Sequence, residues 1–272
     1  MISVLQLGRI DYPAGLRIQQ ELVDLRKAGR IGDVLLLLEH TPVITLGRNA
    51  KKANVLVPPD QLALRGVEVF ECNRGGDVTF HGPGQLVGYP IFDLRGYSRS
   101  QETSYQPSAV SSQEKPARKT LGAIDYVRRL EEVLIRMCAD FSISTKRVPG
   151  LTGVWTETEP EGKIAAIGVH ISRAVTSHGF ALNVNTDLSY FNLIVPCGIT
   201  SKSVTSMKQE LGHEVEMAAV VESIIRNFEI IFGEKCVPVA SLDALLENSV
   251  GVPMKTPESL RAIRGEDDLF LA

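Results

Sequence analysis

The sequence is poor in the features that announce common protein classes. Its four cysteines, Cys72, Cys138, Cys197 and Cys236, are scattered along 272 residues without a C-x-x-C pair. That spacing excludes a zinc ribbon or a disulfide framework and fits a reducing compartment. Five histidines with no H-x-x-H spacing offer no zinc-type site, so no metal or cofactor is expected. The net charge is −3, which lacks the basic footprint of a nucleic-acid binder. The apolar run 34–38 covers five residues, far below the ~20 needed to span a bilayer, so no membrane partner is expected. The opening MISVLQLGRIDYPAG has no basic segment leading into an apolar core, and no secretory signal is expected. A cytoplasmic protein remains, long enough to bury roughly three quarters of its unfolded surface without a staple.

Against those absences stand periodic segments. Residues 16–28, 121–141 and 216–232 repeat apolar side chains at helical spacing. The third stops at Gly233, a suitable helix C-cap. Residues 33–39, 42–46, 67–70, 86–94, 163–172 and 179–184 read as strands. In 163–172, Ala165, Ile167, Val169 and Ile171 share one face with Lys163. Strands that follow one another without intervening helices favour an α+β sheet over a doubly wound one. Residues 97–120 hold six Ser, three Gln and two Pro, a composition that predicts a mobile surface loop.

Three places carry possible chemistry. Residues 74–89, RGGDVTFHGPGQLVGY, contain five glycines and read as a poor strand or helix. Glycines there allow close approach of backbone to a ligand, whereas Gly82-Pro83-Gly84 blocks the helix that a dinucleotide loop must open. Cys197 ends an apolar run between Pro196 and Gly198, a setting for a turn with a nearby N–H oxyanion donor. The other three cysteines read as structural. Lys163 either snorkels to solvent or, aimed into a pocket, acts as acid and base beside a thiol. His81 adds a polar side chain beside the glycines; His178, on a face with Phe180 and Leu182, reads by default as a satisfied core histidine, and His40 is equally ambiguous. The residues alone support a cysteine enzyme with a lysine or histidine helper.

The order of motifs adds more. EHTPVITLGR (39–48), RGGDVTFHGPGQLVGYPI (74–91), GVW (153–155), KIAAIGV (163–169), SHGFALNVNTDL (177–188) and IVPCGI (194–199) together resemble the octanoyltransferases of lipoate biosynthesis, over about residues 1–232. The resemblance implies a fold like that of biotin and lipoate protein ligases: α+β, with a mixed, mostly antiparallel sheet flanked by helices. It implies one catalytic domain over 1–235, an insertion at 97–120 and a tail over 236–272 with no assigned role. It makes Cys197 the acyl-thioester nucleophile and Lys163 the group that activates it. Substrate contacts would come from Arg74, Gly75, Gly76, Asp77, Val78, Thr79, Phe80 and His81, from Ala166, Ile167 and Gly168, and from His178, Gly179 and Phe180. The implied donor is octanoyl-acyl carrier protein. The implied acceptors are the lipoyl domains of 2-oxoacid dehydrogenases and the glycine-cleavage H protein. Thioester-to-amide transfer is downhill, so no nucleotide is required. Burying about seven carbons contributes ~5 kcal/mol to acyl recognition. The rival readings are an ATP-dependent lipoate ligase, a lipoyl-domain-to-lipoyl-domain amidotransferase, and a non-catalytic binding module.

Overall fold

The computed structural model describes residues 1–97, 120–196 and 203–247. Twelve strands appear there: β1 (Ile2–Ile10), β2 (Asp33–His40), β3 (Val43–Leu46), β4 (Glu68–Glu71), β5 (Val78–His81), β6 (Gln85–Ile91), β7 (Thr145–Val148), β8 (Leu151–Thr156), β9 (Gly162–Ser172), β10 (Val175–Asn183), β11 (Ser203–Val204) and β12 (Cys236–Val239). The α-helices are α1 (Tyr12–Lys27), α2 (Pro59–Leu64), α3 (Ala123–Asp140), α4 (Met207–Leu211), α5 (Met217–Phe232) and α6 (Leu242–Glu247). The main sheet runs β12-β1-β2-β6-β10-β9-β8-β7, with β11 beside β9. Its pairings are parallel at β12–β1–β2 and at β11–β9, and antiparallel elsewhere. The mixed, mostly antiparallel sheet expected from the sequence is therefore the observed one. A second sheet, β4-β3-β5, stands beside it.

Local chemistry explains the helix ends. The Asp11 side chain accepts from the Ala14 N–H at 2.6 Å and caps α1. Gly233 terminates α5 with φ of 68°. One face of the main sheet packs on α3 and α5 through Leu130, Leu134, Ile224 and Phe228. The other packs on α1 and α6 through Ile18, Leu22, Leu245 and Leu246. The apolar stripe of α3 is rotated from the simplest reading of its sequence: Ile124 is exposed, whereas the carboxylate-bearing Glu131 is fully buried.

Two expectations are corrected. Within 74–89, Val78–His81 form a strand, β5, where none was expected, and Gly84, at φ of +77°, turns the chain into β6 while His81 and Gln85 face inward and satisfy each other. The boundary drawn at 235 falls inside the fold, since β12 extends the sheet alongside β1 and α6 joins the core. The reading of residues 98–119 as mobile lies outside the described residues. Its described flanks converge: the N–H groups of Tyr97 and Leu121 both donate to Leu94 O, and the Tyr97 hydroxyl donates to Asp33 at 2.6 Å.

Candidate active site

A cleft of about 490 Å³, open mouth included, lies between the two sheets. It is lined by residues 74–77, Thr79, His81, residues 166–168 and residues 178–180, together with Tyr12, Tyr89 and Ala181. Three segments separated by up to a hundred residues in sequence thus meet at one place. Alternation along β5 takes Val78 and Phe80 out of the expected set. Both turn into the separate core of the small sheet, where Phe80 stacks on Tyr190 at 4.7 Å between ring centroids. They support the cleft from behind and do not line it. We expect Phe80→Ala to cost about 3–5 kcal/mol of stability while leaving KM for substrate near its original value. Urea unfolding together with steady-state kinetics checks this.

The cleft wall is built by close backbone approach. The N–H of Gly75 donates to Val169 O at 3.0 Å, and a Cβ at Gly168 would stand 2.8 Å from Gly75 O. Only glycine at 168 lets the loop lie this near β9. Arg74 pins the same loop, donating from Nη2 to Thr45 O at 2.7 Å, from Nε to Thr45 Oγ1 at 3.2 Å and from Nη1 to Gly75 O at 3.0 Å. Asp77 is likewise engaged: it accepts from the Val78 N–H at 2.8 Å and from Asn54 Nδ2 at 2.6 Å. Both ionised side chains of the lining therefore bond protein. Glycine backbone, aromatic faces and imidazoles form much of the remaining wall, which suits an uncharged acyl chain.

Three imidazoles lie buried at or beside this site, and burial favours the neutral form of each. His81 donates from Nδ1 to Gln85 Oε1 at 2.7 Å, and its Nε2 faces the Thr45 hydroxyl at 3.4 Å. His40 donates from Nδ1 to Ile10 O at 3.2 Å and accepts the Tyr89 hydroxyl at Nε2, 2.7 Å away. His178 sits in β10 at φ of 55°, a left-handed conformation held from both sides. Its N–H donates to Gln19 Oε1 at 2.5 Å and its Nε2 to Asn73 Oδ1 at 2.6 Å. Burial lowers His40 from 6.5 to about 4, and His81 and His178 to about 3. The folded values lie below the unfolded one, so acidification protonates the unfolded chain first. Their contribution is whole above pH 6.5 and is lost as the pH falls toward 4 for His40 and toward 3 for His81 and His178, at up to about 1.4 kcal/mol per pH unit for each imidazole. We expect the urea midpoint to drop between pH 7 and 5 while the three imidazole resonances keep their neutral positions. Resonances that titrate near pH 6.5 in the folded protein would contradict the assignment.

Lys163 is the second residue of β9 and is 8% exposed. It is not part of the cleft lining. Its Nζ lies over the ring of Trp155, 5.2 Å from the centroid. Ala166, which does line the cleft, is three residues farther along the strand, about 10 Å. That length is comparable to an extended eight-carbon chain. Cys197 lies outside the described residues. The described chain on either side is anchored: the N–H of Val195 donates to Asn54 O at 2.7 Å, and β11 returns with Val204 paired to Lys163. Sequence reasoning gave no role to Tyr12, Tyr89, Asn73, Gln19 or Trp155, although Tyr89 and Trp155 stand inside two of its motifs.

Comparison with known proteins places the chain in a family. The model of the lipoyl protein ligase A/B catalytic domain matches residues 11–229. The chain belongs to that family. An octanoyltransferase of Koribacter versatilis (strain Ellin345) is 58% identical over 271 residues, covering 100% of both chains. An octanoyltransferase of Solibacter usitatus (strain Ellin6076) is 52% identical, over 88% of this chain and 96% of its own. A solved lipoate-protein ligase A bound with ATP aligns with a TM-score of 0.65 at 13% identity, over 96% of this chain and 91% of that one. The likeness to that ligase is one of fold alone.

Proposed function

We propose that the protein moves an octanoyl group from the thioester of an acyl carrier protein to a lysine of lipoyl domains, through an acyl thioester on Cys197. The acceptors are the lipoyl domains of 2-oxoacid dehydrogenases and the glycine-cleavage H protein, and the reaction runs in the cytoplasm. The observation that carries the reading is the cleft, whose neutral, glycine-backed wall runs along β9 toward Lys163. The name shared by relatives at 52–58% identity supports it. Among the described residues no helix is long and apolar enough to cross a membrane.

In this reading the Cys197 thiol gives its proton to Lys163 and the thiolate attacks the donor carbonyl. The carbon–sulfur bond to the carrier arm breaks, and the departing thiolate takes a proton from Lys163. The acceptor's lysine amine then attacks the acyl-Cys carbonyl, an amide bond forms, and the Cys197 sulfur leaves with the amine's surplus proton relayed through Lys163. Each thioester is exchanged for a bond of equal or lower energy, so no nucleotide is consumed. The test is transfer from octanoyl-carrier protein to a lipoyl domain in ATP-free buffer, followed by intact mass. Full octanoylation without ATP is expected. Transfer that requires ATP and free octanoate would replace this reading with that of a ligase.

A further inference from the structure

Four independent features define the place that Lys163 occupies. The first is a bulge. Val154 pairs with Ala165, and a regular antiparallel register would set Trp155 opposite Ile164, yet Trp155 pairs with Lys163. The extra residue in β9 brings the lysine and the indole to the same face, directly across from each other. The second is the ring itself, 1% exposed, with Nζ over its face. The third is Gly153 at φ of 124°, where a Cβ would stand 2.7 Å from Lys163 Cε and 2.6 Å from Ala165 O. The fourth is Glu131, a fully buried carboxylate on α3 that accepts from the Gly153 N–H at 3.2 Å and is balanced by Arg128 and Arg147. A buried carboxylate without such partners is strongly disfavoured. Here its partners lock the one β8 residue that leaves room for the lysine stem.

We infer that Trp155 is the positioning residue for Lys163, its indole face seating the ammonium while the Glu131–Gly153 clamp keeps the stem's channel open. The inference rests on the reading that Lys163 relays the transfer protons. Two requirements meet at this residue. The head must keep one place while its proton leaves and returns, and a π face attracts a cation over its whole surface. Trp155 does not touch substrate in this scheme; it acts through Lys163.

Trp155 is the only tryptophan in the chain, so intrinsic fluorescence of the full-length protein reports this contact directly. Lys163→Met is expected to change the yield and position of the emission. An unchanged emission spectrum would overturn the seat. Trp155→Phe keeps a π face, whereas Trp155→Leu keeps only apolar bulk. With Leu, kcat and Cys197 alkylation by iodoacetamide should fall about 10-fold or more while KM holds, and Phe should recover most of the loss. Equal losses in Phe and Leu that track their melting temperatures would reduce Trp155 to core filling and overturn the inference. Should the Leu variant fail to fold, the Lys163→Met fluorescence comparison decides. Normal transfer by Lys163→Met is a separate outcome: it would remove Lys163 from the mechanism, while the fluorescence result would still judge the seat.

Discussion

Replacement of Cys197 by alanine is expected to abolish the octanoyl adduct that the wild-type chain forms with octanoyl-carrier protein. The effect should be complete, because covalent transfer without a nucleophile has no slower version of the same path. The other thiols are poor substitutes. Burial pushes both Cys138 and Cys236 up to about 12, which leaves almost no thiolate at neutral pH. The Cys72 thiol faces Leu46 O at 3.5 Å. Intact-mass spectrometry of the wild type should show a gain of one octanoyl group, with peptide mapping placing it on Cys197. An adduct of equal yield on Cys197→Ala would refute the assignment. Iodoacetamide should modify the wild type fastest at Cys197, with Cys138 and Cys236 reacting only after denaturation.

Lys163→Arg is expected to separate the lysine's charge from its proton transfer. Arginine keeps a cation that can lie over Trp155, yet it does not release a proton at neutral pH. Alkylation of Cys197 near pH 7 should therefore be retained in part. Octanoyl transfer should fall by about 10²–10⁴-fold, the usual worth of a positioned acid and base. Lys163→Ala should lose both. Single-turnover transfer measured beside iodoacetamide kinetics reads the two effects independently. Near-normal turnover by the arginine variant would make Lys163 an electrostatic prop. The proton relay would then fall to another group, with His81 and His178 poorly suited because burial holds both imidazoles neutral.

Much of this protein is legible in its sequence because period and local chemistry survive folding. The alternation of residues 163–172, the stripes of α3 and α5 and the stop at Gly233 were each set by side chains a few positions apart. Motif order likewise placed the glycine-rich segment, residues 166–168 and residues 178–180 in one site, and they line one cleft. What sequence pattern misread was governed by partners far along the chain. Residues 74–81 look too polar for a strand until Thr45 meets Arg74 and His81, and Asn183 meets the Gln85 that bonds His81. The segment 236–239 has no visible purpose until β1 offers it an edge. The burial of Glu131 makes sense only with Arg147 and the Gly153 N–H brought beside it. Residue pattern was enough to define most of the elements and to mark Cys197 and Lys163 as the reactive candidates. Which face of β5 meets the cleft, and which ring lies over the lysine, came from long-range packing. Those outcomes depend on strand register, and the one-residue bulge between Val154 and Trp155 is not written in any local pattern.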